Sequence, residues 1–155
     1  MKILFDTNIV MDNLARRDEY GESLKILNLC ENGVLDGVIT TVTIMDVMYI
    51  MRKHLGSGEV RSAVQILLQI VDVVPALKRD INNALNVDFP DFEDAVQASC
   101  AARVKADYIV TRNVKDFKKS SVPAVTPDSL LKILKASSEN PEIKACDRDK
   151  RCRGE

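Results

Sequence analysis

Asp6 stands at the end of an apolar run, Ile3-Leu4-Phe5, and is followed by two short polar residues, Thr7 and Asn8. Three further acids fall in comparable places. Asp46 lies near the start of a helical pattern, Asp94 in the first turn of another, and Asp116 just past the apolar stretch "DYIVT". Such carboxylates have two uses. They cap helix N-termini and favour the positive end of the helix dipole. Gathered at one rim they repel, their pKa values rise unless a cation sits among them, and their hard oxygens suit Mg²⁺ or Mn²⁺. Taken singly, each acid allows the first use. Asp6, Thr7 and Asn8 are all good N-cap types for a helix starting near Ile9, Asp94 follows Asp91 at capping-box spacing, Asp46 suits its own helix, and Asp116 suits a loop. His54 is the only histidine. It falls in the last turn of a predicted helix, where a C-terminal charge is role enough, so His-based catalysis is not expected.

The elements that position these acids follow from periodicity. Residues 2–5 read as a short buried strand, 36–41 as a second, 71–74 as a third closed by Pro75, 107–111 as a fourth and 122–125 as a fifth. Between them, residues 21–31 predict a helix with Leu24, Leu27 and Cys30 on one face and Asn32-Gly33 as its stop. In residues 43–55, Ile44, Val47, Met48, Met51 and Leu55 follow the i, i+3, i+4, i+7, i+11 pattern, and Gly56-Ser57-Gly58 is read as its terminator. Further helices are expected over 59–70, briefly before Val87, over 91–104 with Asp91 as N-cap, and over 127–135. Strands alternating with helices imply a parallel sheet covered on both faces. In such sheets, sites collect at the carboxyl ends of strands, which is where Asp6 and the 111–116 loop would lie.

The chain has 155 residues, enough for one domain with its own core, and 46% of them are hydrophobic. No apolar run approaches the ~20 residues of a membrane span, and the start is too short for a signal peptide. A cytoplasmic protein is expected. The four cysteines, Cys30, Cys100, Cys146 and Cys152, lack the close pairs of a zinc site, so free thiols are expected. A net charge of −1 gives no global pull toward nucleic acid. Residues 137–155 are polar and charge-dense and read as a tail or partner-binding arm beyond a domain over 1–136.

The strings "ILFDTNIVMDNL", "TTVTIMDVMYIMRK", "DFEDAVQASCAARVKADYIVTRNVKDF" and "VPAVTPDSLL" resemble the PIN domain (PilT N-terminus) family, which includes the VapC-type toxins of bacterial toxin–antitoxin pairs. The resemblance covers residues 2 to about 134. It implies a three-layer α/β/α sandwich with a central parallel sheet of four to five strands. It also implies an Mg²⁺- or Mn²⁺-dependent endoribonuclease that cleaves single-stranded RNA with three or four acids. Carried over, those acids are Asp6, Asp46 (where Glu is usual) and Asp94. The last acid's position is occupied by Asn113, with Asp116 as its substitute, or with Asn113 binding through its carbonyl. The expected metal ligands are Asp6, Asp94, Asp116 and Asn113. One metal is expected between Asp6 and Asp94, with a second recruited by substrate phosphate. Thr7, Asn8 and Thr111 are expected to orient ligands or bond a phosphate oxygen, with capping and turn chemistry as the competing use.

Substrate contact should be electrostatic. Arg112, Lys115, Lys118 and Lys119 crowd "RNVKDFKK", and Arg16, Arg17, Arg52 and Lys53 follow the other two acidic segments. Aromatic residues are only 5% of the chain, so stacking on bases is not an evident source of specificity. Two other enzyme or signalling classes fit poorly. A receiver-like module wants an acid after the third strand, where Pro75 stands, and an Asp-x-Asp phosphohydrolase wants an acid at Asn8. A non-catalytic PIN-like RNA- or protein-binding module remains the alternative. The resemblance also implies a homodimer and a protein antitoxin. Apolar residues off the core-facing stripe between 24 and 70, Met45 and Ile66 among them, suit a homodimer through that region.

Overall fold

The computed structural model describes residues 1–15 and 20–139. Arg16, Arg17, Cys146, Cys152 and all but the first three residues of the expected tail lie outside that range. The elements run β1 (Lys2–Phe5), α1 (Thr7–Ala15), α2 (Tyr20–Glu31), β2 (Asp36–Thr40), α3 (Thr41–Met51), α4 (Ser57–Leu67), β3 (Asp72–Val74), α5 (Lys78–Leu85), α6 (Phe92–Arg103), β4 (Tyr108–Val110), β5 (Ala124–Val125) and α7 (Pro127–Glu139). All strand pairings are parallel, in the order β3-β2-β1-β4-β5. Strand direction of travel across the sheet reverses at β1, because β2 and β3 lie on one side of it and β4 and β5 on the other. Side chains alternate along a strand. Ile3 and Phe5 therefore enter the core formed with α1 to α4 and α7, while Leu4 enters the core formed with α5 and α6. All three are fully buried, each contributing about 1.5–3 kcal/mol by leaving water. The result is an α/β/α sandwich with β1 at its centre.

Local chemistry explains most boundaries. α2 stops at Gly33, whose φ of 70° suits glycine. There Gly33 N–H donates to Cys30 O (2.9 Å) and Val34 N–H to Leu29 O (2.9 Å), the Schellman pattern. Gly37 is needed for close approach: a Cβ there would stand 2.8 Å from Cys30 Sγ and 3.0 Å from Phe5. Three expectations need correction. α3 begins at Thr41 because the Thr40 hydroxyl accepts from Thr43 N–H (3.0 Å) and caps it; Asp46 therefore lies in its second turn. α3 also ends at Met51, so His54 lies beyond the helix, exposed. Gly56-Ser57-Gly58 starts α4 rather than only ending α3, since Glu59 reaches back to accept from Gly56 N–H (3.0 Å). Residues 137–139 continue α7.

Cys30 and Cys100 are free and buried. Of the apolar residues expected at the surface between 24 and 70, Leu24, Met45, Ile66 and Leu68 are exposed, whereas Ile26, Leu27, Met51 and Leu67 are core. Among the described residues, no helix is long and apolar enough to cross a membrane.

Candidate functional site

The reversal at β1 leaves a crevice beyond the carboxyl ends of β1 and β4, where neighbouring connections leave the sheet in opposite directions. Asp6 follows β1 directly and Thr111 follows β4, and their backbones continue the ladder: Asp6 N–H donates to Val110 O and Thr111 N–H to Val125 O, both at 3.0 Å. The Thr111 hydroxyl donates to Asp6 Oδ2 (2.8 Å) and accepts from Asn113 N–H (3.0 Å). Asp6 also accepts from Asn8 and from the backbone N–H of Thr7, which open α1. Capping and site-building are thus one arrangement at Asp6: the carboxylate that satisfies the helix start also faces the crevice.

An open cleft of about 410 Å³ lies there, lined by Asp6, Thr7, Asn8, Asp91, Glu93, Asp94, Asn113 and Asp116, with Met11, Ile50 and Pro90 as its apolar edge. Asp91 caps α6 by accepting from Glu93 N–H (2.7 Å), which sends Asp94 inward in the first turn. Asp116 is turned in by the 111–116 loop, where its N–H donates to Asn113 O (2.9 Å). The electrostatics follow from burial and crowding. Burial, then the charges of Asp6, Asp91 and Asp116, push Asp94 from its usual 3.8 to about 7. Burial raises Asp6 as well, against the lowering effect of its hydrogen bonds.

Glu93 is the cleft acid that the sequence reading missed. It sits between two better candidates, Asp91 as cap and Asp94 as ligand, and "DFED" offers nothing to show which acids point inward. The signal that would have found it is Gln97, one helical turn on. Glu93 Oε1 accepts from Thr7 Oγ1 (2.7 Å) and from Gln97 Nε2 (3.0 Å). Burial and the neighbouring Asp46 carboxyl push Glu93 from 4.5 to about 7.

Four expected site residues, Asp46, Thr111, Arg112 and Lys115, do not line the cleft, although Thr111 bonds Asp6 from outside it. Asp46 does not line the cleft; its carboxyl lies behind, against Glu93, with Oδ2 buried and without a hydrogen-bond partner among the described residues. Arg112 does not line it either. The chain bends at Arg112; Asn113 lines the cleft, while Arg112 turns to Asp12, its Nε 3.1 Å from Asp12 Oδ2. Together with Glu22, Thr126, Pro127 and Asp128 that pair lines a separate hollow of about 320 Å³. Lys115 and Lys118 are exposed outside the cleft lining. Lys119 is held by Asp88 (2.8 Å), and Arg52 and Lys53 lie over the Tyr49 ring (4.6 and 4.9 Å). The basic run is therefore partly committed to the protein itself.

Among the described residues, no three Asp, Glu, His or Cys side chains already stand close enough together to hold a metal ion. The donor chemistry nonetheless fits a hard divalent cation. The cleft offers carboxylate and amide oxygens, two acids that burial and then neighbouring carboxylates raise to about 7, and an unbonded buried oxygen on Asp46. Mg²⁺ keeps several waters and is often held by one or two carboxylates plus substrate phosphates, which suits acids spaced around an open cleft.

A family model described as PIN domain matches residues 2–115. The chain belongs to the PIN domain family. No curated protein sequence matches it, whereas solved structures do. VapBC-1 from nontypeable Haemophilus influenzae is 17% identical, with a TM-score of 0.63 over 83% of this chain and 99% of that one. DNA-bound VapBC from Salmonella typhimurium is also 17% identical, at a TM-score of 0.65 over 82% and 98%. VapC20 of Mycobacterium tuberculosis, a sarcin–ricin-loop-cleaving toxin, is 13% identical, at 0.56 over 69% and 86%. At these identities the likeness is one of fold: this PIN domain shares the α/β/α sandwich and parallel sheet of VapC-type chains.

Proposed function

We propose that this PIN domain is an Mg²⁺- or Mn²⁺-dependent endoribonuclease that cleaves phosphodiester bonds of single-stranded RNA, and that it is the toxin of a toxin–antitoxin pair. The observation that carries this reading is the cleft itself: Asp6, Glu93, Asp94 and Asp116 converge at the switch point of the sheet, and no cation among the described residues lines it. Crowded carboxylates held at raised pKa lower their free energy by taking a divalent cation. In this reading Asp6 and Asp94 hold that cation, with Asp116 and the Asn113 amide oxygen at the open side. When bound, the cation supplies charge neutralisation at the phosphoryl oxygens and acidifies the attacking water. Thr111 and Asn8 fix the Asp6 carboxylate in one orientation, and Thr7 does the same for Glu93. The Asn113 amide, exposed at the open side, is the cleft group free to donate to the phosphate.

The test is cleavage of single-stranded RNA by the full chain with EDTA, Mg²⁺ or Mn²⁺, beside Asp6→Asn. Cleavage should need the metal and fall at least ~100-fold in the variant, the loss typical of removing electrostatic stabilisation of the transition state, here supplied through the cation that Asp6 would hold. Metal-independent cleavage, or wild-type rates in Asp6→Asn, would overturn the assignment. A non-catalytic RNA- or protein-binding module is the second reading, favoured by the absence of a ready-made three-acid cluster among the described residues. It predicts RNA binding without products. The VapBC complexes that share the fold support a protein antitoxin as partner, and exposed Leu24, Met45, Ile66 and Leu68 support a homodimer. Light scattering at micromolar concentration should then read twice the 17.3 kDa chain mass; a monomer removes the dimer.

A further inference from the structure

We propose that Gln97 and Thr7 form a buried clamp that fixes the Glu93 carboxylate in the cleft, and that Asp46 acts on the cleft only through Glu93. The inference rests on the metal-dependent reading for its importance to catalysis, and on geometry alone for the clamp. Gln97 follows Glu93 by four residues, so α6 stacks their side chains on one face. Gln97 Nε2 donates to Glu93 Oε1 (3.0 Å) and lies 3.2 Å from Thr7 Oγ1, which itself donates to Glu93 Oε1 (2.7 Å). Behind Thr7 stands the Thr43 hydroxyl (3.4 Å), held in turn by Thr40 (3.0 Å). The carboxylate is thus tied to the start of α1, the start of α3 and its own helix at once.

Gln97 is 0% exposed, and its Oε1 has no hydrogen-bond partner among the described residues. A buried, unbonded amide oxygen is a cost to the fold. An aliphatic side chain would fill the same space without it, so the polar work at this position is that of Nε2. The amide orientation follows from the partners: reversing it would set an oxygen 3.0 Å from a carboxylate oxygen. Asp46 is one methylene shorter than Glu and reaches Glu93 rather than the cleft. Gln97 and Thr7 are accordingly positioning residues. Partners that orient ligating carboxylates typically change metal affinity or activity ~10–100-fold when removed.

The experiment measures Mn²⁺ affinity by electron paramagnetic resonance, with kcat and KM for RNA, for Gln97→Leu and Asp46→Asn in the wild-type and Glu93→Gln backgrounds. Either single variant should weaken Mn²⁺ binding about tenfold and lower kcat with KM unchanged. Neither should add a loss once Glu93 is Gln, the signature of one coupled unit. Full Mn²⁺ affinity in Gln97→Leu, or an equal loss in both backgrounds, overturns the clamp. An additive loss from Asp46→Asn overturns its dependence on Glu93. If the wild-type protein binds no Mn²⁺, the metal reading falls, and the clamp is judged by nuclear magnetic resonance of the metal-free protein. There the Gln97 side-chain amide protons should exchange slowly with water and lose that protection in Glu93→Ala; fast exchange in the wild type overturns it.

Discussion

Asp80 and Asp6 are buried almost equally, 1% and 2% exposed, and they are opposites in what surrounds them. Asp80 is in the first turn of α5. Its carboxylate accepts from Leu77 N–H (2.9 Å) and takes Arg103 Nε at 2.9 and 3.1 Å, while the same guanidinium donates to Pro75 O. Charge and hydrogen bonds are both satisfied there, by the chain alone. Asp6 is satisfied by hydrogen bonds only. Among the described residues, the charges it acts on are those of acids, Asp94 and Glu93, which its own charge helps to hold up. The Asp80 arrangement stabilises α5 against α6. The Asp6 arrangement leaves its charge without a cation partner among the described residues. Burial does not distinguish a structural acid from a site acid; the sign of the charge facing it does.

The contrast is sharpest in stability. Arg103→Met should leave Asp80 buried without its cation and destabilise the protein by about 3–5 kcal/mol, a fall of roughly 2–4 °C in Tm per kcal/mol at this size. Calorimetric melting with and without Mg²⁺ should show the same loss in both. A loss that Mg²⁺ repairs would place Asp80 in the wrong class.

A smaller effect follows from pH. Asp94 and Glu93 have folded-state pKa values of about 7, above their usual 3.8 and 4.5. Between roughly pH 4 and 7 the folded state therefore binds more protons than the unfolded one, so stability falls as pH rises through that window. In EDTA the protein should melt several degrees lower at pH 8 than at pH 5, and Mg²⁺ should close the gap at pH 8 by binding the folded state. A metal-free Tm that climbs from pH 5 to pH 8 would mean the cleft is not the charge deficit described.

The smallest effect has the opposite sign to Arg103→Met. Asp94→Asn removes one of the mutually repelling charges, so at pH 8 in EDTA its Tm should equal or exceed the wild type by a degree or two, while its response to Mg²⁺ shrinks. A Tm well below wild type under those conditions would make Asp94 a capping residue first and a cleft acid second.

Much was legible in the chain because it depends on near neighbours. The β1 strand is carried by a three-residue apolar run after Lys2, α2 ends where only glycine fits comfortably, and Asp91 caps α6 through a contact two residues away. Asp6 could be placed at the rim because strand order hardly matters to the residue that follows a strand. α3's early start, by contrast, was hidden by Thr40-Thr41, two β-branched residues that read as strand until the Thr40 hydroxyl is seen capping the helix.

By itself the sequence determined the family, the alternation of strands and helices, and the acids at strand ends and helix starts, since these rest on spacing within one element. Tertiary structure alone decided which acids meet. Glu93 entered the cleft, and Asp46 went behind it, because α1, α3 and α6 converge on Thr7 from positions 86 and 36 residues apart along the chain. Arg112 left the cleft because it pairs with the buried Asp12 of α1, 100 residues away along the chain. Charge pairing acts over a few ångströms of space rather than a few residues of chain. The identity of each acid could therefore be read early, and its electrostatic partner only in three dimensions.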